Sequence, residues 1–396
     1  MKGLRPRFRG DPSQRARSLA ILGIRGIPAR YGGFETFAEE LSTRLVELGF
    51  EVTVFCEGVQ GDRPSSYRGV RLEYVPAPDL RGLTTVLHDL RCIWRGRKRF
   101  GTLYILGYSA AQFCWLPRLW GTRVWMNMDG LEWARAKYGV FARAYLKLME
   151  ALCMWTPSRL IADAEAIRDV LARRHSRLPP CDVIPYGAYV LDAPPDPAPL
   201  SGWGLPPGGY HLVVCRFEPE NHVLEILEGF AASKSAHVLA VLGRARGRTP
   251  YAARLEAVAA RDPRIRLLGT VYEPEQLRAL RYHALSYLHG HSVGGTNPSL
   301  LEALGCHNAV VAHDNVFNRE VAGEAALYFR TPADVAGCVE QIEGDPALRA
   351  RLSEYAAERV RARYTWERVT EAYLGLLGTA EIGPRRAPAA SGRRAR

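Results

Sequence analysis

Residues 18–56, SLAILGIRGIPARYGGFETFAEELSTRLVELGFEVTVFC, decide the fold of this chain. The apolar segment SLAILGIRG predicts a buried strand, IPARYGGFET predicts a loop, the amphipathic segment FAEELSTRLVELG predicts a helix, and EVTVFC predicts a second strand. A strand, a loop, a helix and a strand in this order begin a doubly wound parallel sheet. The stretch therefore predicts an α/β protein.

The same alternation continues in two halves of the chain. In the first half we predict further strands in LYILGY, VWMNMDG and RLIADA, with a helix in ARAYLKLMEALCMW. In the second half we predict strands in HLVVCRF, HVLAVLG, IRLLG, ALSYLHG and AVVAHD, with helices in NHVLEILEGFAAS, YAARLEAVAA, PEQLRALRYH and SLLEALG. Each half thus predicts a doubly wound α/β domain.

A proline- and glycine-rich stretch at residues 191–209 separates the halves and predicts an interdomain linker. We therefore predict two facing Rossmann-like, doubly wound domains, at 18–190 and 210–378, with an interdomain cleft. The last helical stretch, residues 346–377, is expected to cross back to the N-terminal domain. Ligands of such sheets bind at the carboxyl ends of the strands.

Composition limits the class of protein. The 396 residues are 47% hydrophobic and 24% charged, which suits a soluble protein of two or three domains. Eight scattered cysteines without a Cys-x-x-Cys pair argue against a zinc site or a disulfide scaffold and fit a reducing compartment. No apolar run approaches the roughly 20 residues that span a bilayer, and the N-terminus lacks the apolar core of a secretory signal.

The net charge of +12 favours an anionic partner, which leaves nucleic acid, an anionic membrane surface and phosphorylated substrates open. Much of this charge lies in residues 1–17 and 379–396, both of which we predict to be disordered basic tails. Because no nucleic-acid fold motif accompanies them, nucleic acid is not an expected partner. Residues 91–100 mix cations with Trp and Phe, which suits an anionic headgroup surface or an ordinary solvated helix end.

The most informative site motif is GGTNPSLLEALG at residues 294–305. Thr296 or Asn297 caps the predicted helix, and Pro298 suits its first turn. The free N–H groups and positive dipole end at a helix start attract anions. Glu302, just over a turn inside, is placed to accept hydrogen bonds from sugar hydroxyls. The pairing suits a nucleoside diphosphate, and the alternative is an ordinary capped helix.

Three further loops follow predicted strands. Gly32 and Gly33 allow close approach of the backbone to a ligand, although a tight turn gives the same pattern and the spaced dinucleotide fingerprint is absent. Asp129 and Glu132 are placed to orient sugar hydroxyls or to act as a base, or else to form an Asx turn. Arg216 is placed to grip diphosphate oxygens, or to form a surface ion pair of little energy. One shared site explains these loops better than separate coincidences.

Together these motifs resemble the retaining GT-B glycosyltransferases of family four, and more narrowly a bacterial rhamnosyltransferase-type subgroup. The resemblance covers about residues 19–373 and excludes both tails. The segments that carry it are RGIP with GGFET, NMDGLEW, RFEPEN, GTNPSLLEA and AHDNVFNRE. The combination is specific, whereas each motif alone is not.

The resemblance implies a role for each matching residue. The N-terminal domain is expected to bind the acceptor, and the C-terminal domain the nucleotide sugar. Glu302 is implied to hold the donor ribose, and Arg216 to neutralise the leaving pyrophosphate. The expected donor-binding residues are Gly32, Gly33, Arg216, Gly295, Thr296, Asn297, Ser299, Leu300 and Glu302. The expected acceptor-binding residues are Phe34, Glu35, Asp129 and Glu132, and the expected catalytic residues are Asp129, Arg216 and Glu302.

The chain departs from the family at three positions. Gly294 stands where the family has an acid that touches the donor sugar, and Asn221 stands where it has a lysine. Asp129 lies near the usual place of a histidine. Lys234 and Arg244 are candidate replacements for the missing positive charge.

The resemblance implies transfer of a hexose, with rhamnose from dTDP-rhamnose favoured, to a glycan acceptor that is expected to be lipid-linked. The expected setting is bacterial cell-surface polysaccharide synthesis, with retention of configuration and without a metal or cofactor. The protein is expected to be cytoplasmic and peripheral at the inner face of the plasma membrane. The alternatives are another GT-B sugar-nucleotide enzyme, such as an epimerase or a different hexosyltransferase, and a non-catalytic basic binding protein.

Overall fold

The computed structural model describes residues 15–29, 32–58, 63–76, 80, 83–135, 138–245, 247, 249–271 and 273–378. They form two compact units. Of these described residues, those up to Ile105, those of Phe113–Val124 and those from Thr370 onwards belong to the first unit, and those within Leu106–Gln112 and Trp125–Val369 belong to the second. The predicted tails lie outside the described residues except for residues 15–17, where the Arg15 guanidinium donates to the Trp120 carbonyl oxygen at 2.9 Å.

The first unit contains a sheet with the strand order β3-β4-β2-β1-β5, in which only the β3–β4 pair is antiparallel. Its strands are β1 (Ser18–Leu22), β2 (Glu51–Glu57), β3 (Ser66–Tyr67), β4 (Val70–Val75) and β5 (Thr102–Leu106), and its helices are α1 (Gly32–Glu47) and α2 (Thr84–Gly96). Helix α1 covers the sheet with buried Phe37, Leu41 and Leu45. The predicted order of strand, helix and strand is confirmed.

The start of helix α1 differs from the prediction. The loop was predicted to extend through Thr36, but the helix already begins at Gly32, so the glycine pair lies in its first turn. Glu35 also lies in that turn. The propensity of glycine for loops was therefore a misleading signal at this position.

The strands of the second unit are all parallel and follow the orders β6-β7-β8 and β11-β10-β9-β12-β13-β14. The six-stranded set is called the larger sheet. The strands are β6 (Arg123–Met128), β7 (Arg159–Ala162), β8 (Cys181–Val183), β9 (Tyr210–Val214), β10 (Val238–Leu242), β11 (Ile265–Gly269), β12 (Ser286–His289), β13 (Val310–His313) and β14 (Ala326–Phe329).

Helices connect these strands and follow the last of them, β14. They are α3 (Val140–Cys153), α4 (Glu165–Arg174), α5 (Ala198–Ser201), α6 (Val223–Ala232), α7 (Pro250–Ala259), α8 (Pro274–Tyr282), α9 (Pro298–Gly305), α10 (Val316–Ala322), α11 (Pro332–Gly344), α12 (Pro346–Arg363) and α13 (Trp366–Leu377). The larger sheet has a cluster of buried apolar side chains that includes Ile226, Leu239, Leu288 and Phe329. Burial of these side chains supplies the main stabilisation. In the described part of the chain, no helix has both the length and the apolarity to cross a membrane.

The predicted linker at residues 191–209 lies within the second unit and is held firmly there. The Leu191 amide donates to the Gly305 carbonyl oxygen at 3.0 Å, and a ring nitrogen of His283 lies 2.8 Å from the Pro195 carbonyl oxygen. The domain boundaries stated from the sequence remain a prediction.

The final helix, α13, contributes residues to both units. Within the first unit, the Tyr373 hydroxyl lies 2.6 Å from that of Tyr104, and its ring packs on Phe37 with a centroid distance of 5.8 Å. All three side chains are buried. The C-terminal half of α13 is thereby part of the core that the N-terminal strands of the first unit build.

Candidate active site

Helix α9 begins as the sequence predicts, with Asn297 as its cap and Pro298 in its first turn. The Asn297 side-chain oxygen accepts from the Ser299 amide at 3.0 Å, and its carbonyl oxygen accepts from the Leu300 amide at 3.1 Å. The Asn297 amide itself has no hydrogen-bond partner among the described residues. The helix therefore presents an amide, and the positive end of its dipole, to an anion.

Thr296 is not the cap. Its hydroxyl donates to the carbonyl oxygen of Asp163, at the carboxyl end of strand β7. The Gly295 amide lies 3.3 Å from the Asp129 carbonyl oxygen. These two residues of the predicted donor loop therefore hold it against the loops that follow β6 and β7.

Glu302 lies on α9 beside a buried arginine that the sequence analysis did not identify. The guanidinium of Arg281, on α8, is 2.5 Å from the Glu302 carboxylate, and the exposed fractions of the two side chains are 7% and 42%. Arg281 also lies 3.4 Å from the Ser299 hydroxyl, which is 2.6 Å from that of Tyr287. The ion pair fixes the carboxylate and leaves part of it open to hydroxyl donors.

Arg216 is exposed beyond the carboxyl end of strand β9. The Asn221 side-chain amide donates to the Arg216 carbonyl oxygen at 2.8 Å, and Asn221 is 5% exposed. A Cβ atom at Gly290 would overlap the Asn221 carbonyl, so the chain packs tightly here. Asn221 therefore braces the Arg216 loop and does not replace the charge of the family's lysine.

Lys234 and Arg244, the two candidates for the missing positive charge, lie at opposite edges of the larger sheet. Lys234 follows α6 and precedes β10, so it lies at the amino edge of the parallel sheet, away from ligands. Arg244 follows β10 at the carboxyl edge and is exposed. Its carbonyl oxygen accepts from the Phe217 amide at 3.2 Å, next to Arg216. Arg244 is therefore the better candidate for a second contact with a diphosphate.

Asp129 and Glu132 share one arginine. The Arg135 guanidinium lies 2.6 Å from the Glu132 carboxylate and 3.8 Å from that of Asp129. The Tyr138 hydroxyl also donates to Glu132 at 3.0 Å. These contacts fix the orientation of the two carboxylates.

The backbone accounts for Gly294, where the family has an acid. Gly294 has a φ of +130°, a region that only glycine adopts readily. A Cβ atom at Gly130 would lie 2.9 Å from the Gly294 Cα atom, so the two glycines allow close contact of their loops. A Cβ atom at Gly294 would have room, since its nearest neighbour is the Asp129 carbonyl oxygen at 3.9 Å, so it is the φ value that disfavours the family's acid at this position.

Asp163 and His291 were missed by the sequence analysis. Asp163 is 2% exposed, one of its carboxyl oxygens has no hydrogen-bond partner among the described residues, and a Cβ atom at Gly295 would overlap it. Burial, followed by the charge of Asp129, raises the pKa of Asp163 well above its usual value. Burial, followed by the charge of Arg216, lowers the pKa of His291 to about 3, so its ring is neutral. An acid after a buried strand was the available signal for Asp163.

Helix α10 and the residue before it position two neighbouring segments of the second unit. The side chains of Asn315 and Asn318 donate to the His291 carbonyl oxygen at 3.1 and 2.9 Å. The Glu320 carboxylate accepts the backbone amides of Glu165 and Ala166, at the start of α4, at 2.7 and 2.8 Å. The AHDNVFNRE motif therefore acts by positioning other loops.

The remaining predicted residues belong to the first unit. Gly32 has a φ of +75°, and Gly33 and Phe34 are partly buried in the first turn of α1. A Glu35 carboxylate oxygen lies 3.4 Å from the Arg25 amide, and burial raises the pKa of Glu35. Asp129, Glu132, Arg216 and residues 295–302 all belong to the second unit.

Comparisons with known proteins agree with this fold. Residues 16–189 match the family model described as "Domain of unknown function (DUF1972)", and residues 237–375 match the one described as "Glycosyl transferase-like". A comparison with curated protein sequences gave no match. The second match supports a glycosyltransferase for the part of the chain that carries α9.

Solved structures cover nearly the whole chain. Sucrose-phosphate synthase (tll1590) from Thermosynechococcus elongatus is 17% identical, with a TM-score of 0.76 over 91% of this chain and 98% of that chain. HepE from Anabaena in complex with UDP-glucose is 13% identical, with a TM-score of 0.73 over 91% and 99%. The α,α-trehalose-phosphate synthase (UDP-forming) from Burkholderia vietnamiensis is 13% identical, with a TM-score of 0.67 over 91% and 99%. The chain has the GT-B fold.

The raised pKa of Asp163 predicts a pH dependence of stability. The folded protein keeps this proton at pH values where the unfolded chain has lost it, so the stability of the parent falls as pH rises from about 4 towards the folded pKa. Asp163→Asn removes this pH-dependent loss of stability. The difference in melting temperature, variant minus parent, should therefore increase with pH. Thermal unfolding between pH 4 and neutrality measures it, with Asp169→Asn, at an exposed aspartate of α4, as the control. Parallel curves for Asp163→Asn and the parent would contradict the assignment.

The Glu320 carboxylate is expected to stabilise the start of α4. Glu320→Ala leaves two amides without their acceptor and should lower the free energy of unfolding by about 1–2 kcal/mol, whereas Glu320→Gln keeps one acceptor and should lose less. Urea denaturation measures the change. Glu324→Ala, at an exposed residue just after α10, is the control and should have little effect. Equal stabilities of all three variants would show that Glu320 does not stabilise the start of α4.

Proposed function

We propose that the protein is a glycosyltransferase that transfers a hexose from a nucleoside-diphosphate sugar to a hydroxyl of a glycan. The observation that carries this proposal is the capped start of α9 with Glu302 fixed by Arg281. An anion site and a fixed carboxylate, separated by about one helical turn, match the diphosphate and the ribose of such a donor. The GT-B fold and the "Glycosyl transferase-like" match support the same reaction class.

The charges around α9 suit a diphosphate leaving group. Arg216 and Arg244 both follow strands of the larger sheet at its carboxyl edge, as does the start of α9. As the bond from the sugar to the diphosphate breaks, negative charge accumulates on the phosphate oxygens. Guanidinium groups and a helix dipole stabilise that charge, and Arg216 is the proposed principal contact.

The acceptor side of the proposed reaction uses Asp129 and Glu132. The Arg135 guanidinium holds the two carboxylates in place, and their oxygens can accept hydrogen bonds from sugar hydroxyls. We assign the orienting role to Asp129, with the acceptor proton passing to an oxygen of the leaving phosphate. This step fits retention of configuration and requires no metal, as the family resemblance implies.

The identities of the donor and the acceptor in this proposal come from the resemblance to the family-four glycosyltransferases. The favoured donor is dTDP-rhamnose, and the favoured acceptor is a lipid-linked glycan in bacterial cell-surface polysaccharide synthesis. This acceptor would place the protein in the cytoplasm, peripheral at the inner face of the plasma membrane. HepE has been solved in complex with UDP, and the trehalose-phosphate synthase is UDP-forming, so a uridine nucleotide is the natural competitor in any test of the base.

Melting temperatures with a panel of nucleotides test the proposal. A donor at about 100 times its dissociation constant should add about 2.7 kcal/mol to the free energy of unfolding. We expect the largest increase with dTDP-rhamnose, compared with UDP-glucose, GDP-mannose and the free diphosphates. A larger increase with another donor would replace the sugar and base but keep the reaction class. No increase with any nucleotide, together with a salt-dependent shift on binding arbitrary DNA, would favour the basic binding protein.

A transfer assay separates the proposal from another GT-B activity. The purified protein, the donor that stabilises it and a membrane extract as acceptor should yield a labelled glycan and a free nucleoside diphosphate. Conversion of the donor sugar to its epimer without an acceptor would favour an epimerase.

Glu302→Gln should weaken donor binding roughly ten-fold or more, because a hydrogen bond to a charged group contributes about 1.5–3 kcal/mol. The glutamine retains the shape next to Arg281 but leaves the buried guanidinium without its counter-charge, so thermal unfolding of the variant must first show that it is folded. Calorimetry with the free nucleoside diphosphate measures the affinity. Glu275→Gln is the matched control, since Glu275 also pairs with an arginine, Arg278, at 2.8 Å on the surface of α8. Parent-like affinity of Glu302→Gln would exclude the ribose contact.

A further inference from the structure

Helix α3 carries an apolar stripe on its solvent side. Val140 is 80% exposed, Phe141 91%, Leu148 56%, and Trp155, just beyond the helix end, 60%. Phe141, Leu148 and Trp155 recur every seven residues, so they share one face of the helix and extend over roughly 20 Å. Single exposed apolar residues are common, whereas an aligned set marks an interaction surface.

The opposite side of α3 is fully occupied by the protein. Leu146, Met149 and Cys153 are buried in the second unit. Glu150, the one acidic residue of α3, also faces inward and lies 2.6 Å from the Trp133 indole nitrogen. The solvent side of the helix therefore has no acidic residue.

Cations flank the apolar stripe. Arg143 and Lys147 are exposed on α3, and the Arg177 guanidinium lies 4.1 Å from the centre of the Trp155 ring. Aromatic and aliphatic groups bordered by cations are the composition of helices that lie in the interface of an anionic bilayer. Each cation near such a surface adds electrostatic attraction.

We propose that this α3 face (Val140, Phe141, Arg143, Lys147, Leu148 and Trp155) lies on an anionic lipid bilayer, with the aromatic rings among the headgroups. The proposal deepens the proposed function, because it rests on the lipid-linked acceptor and names the surface that reaches it. A second copy of the chain is a poorer occupant. A symmetric dimer through this face would bring the cations of both copies together without an acid to neutralise them.

The α3 face replaces residues 91–100 as the principal membrane contact. In that segment Phe100 is 6% exposed, the Arg97 guanidinium stacks 3.5 Å from the centre of the Trp94 ring, and Arg99 pairs with Glu73 at 2.8 Å. Phe100 is thus buried and Arg99 is neutralised by Glu73, whereas pairs like that of Arg97 and Trp94 also occur at the α3 face, between Arg177 and Trp155 and between Lys147 and Trp133. The apolar side chains of the α3 face are more exposed.

Vesicle flotation tests the proposal on the full chain. We expect the parent to float at low salt with phosphatidylcholine vesicles that contain about 30% phosphatidylglycerol, and to float weakly with pure phosphatidylcholine. Phe141→Ser with Leu148→Ser, and separately Arg143→Glu with Lys147→Glu, should each reduce the bound fraction roughly ten-fold. Trp94→Ser, at a 52% exposed tryptophan of residues 91–100, is the matched control and should bind like the parent.

Three outcomes would overturn the proposal. The parent could fail to float, both α3 variants could float like the parent, or light scattering could show a dimer that the α3 variants dissociate. Melting shifts with the nucleotide panel, measured on the same proteins, keep the two proposals distinct. Variants that lose vesicles but keep the nucleotide shift locate the defect in the α3 face. A parent that binds vesicles but no nucleotide would contradict the proposed function alone.

Discussion

Arg281 holds a full positive charge at a place where only 7% of its side chain is exposed, and Glu302 neutralises it at 2.5 Å. An unpaired charge so deeply buried would be strongly destabilising, so the two side chains are effectively one unit. The pair lies directly behind the start of α9. The stability of the larger sheet and the orientation of the proposed ribose contact therefore depend on the same interaction.

The loops around this pair are positioned mostly by residues that need not touch a ligand. Asn221 holds the Arg216 loop, and Asn318 holds the His291 carbonyl. Thr296 contacts Asp163, and Gly294 allows the donor loop to meet the loop after β6. Preorganised loops of this kind keep charges and dipoles in place before a substrate arrives, which is how electrostatic stabilisation of a transition state works best. The departures from the family at positions 221 and 294 have structural reasons and do not by themselves argue against activity.

The sequence predicted the fold well because its signals are local. Apolar runs followed by glycine located strands such as β11 at Ile265–Gly269, and the Asn-Pro pair located the start of α9. The start of α1 was misplaced because glycines usually indicate a loop. Arg281 and Asp163 were missed because their roles arise from contacts with Glu302 and Thr296, which are distant in sequence. Exposure of the α3 face also depends on tertiary packing, since α3 is apolar on more than one side.

The most direct test of the central claim is amide hydrogen exchange with and without a saturating nucleoside diphosphate. If the start of α9 and the Arg216 loop hold the diphosphate, peptides that cover residues 214–221 and 291–302 should exchange more slowly with ligand. Peptides from the outer helices α7 and α11 should be unchanged. Protection confined to other parts of the chain, with none at residues 291–302, would contradict the account.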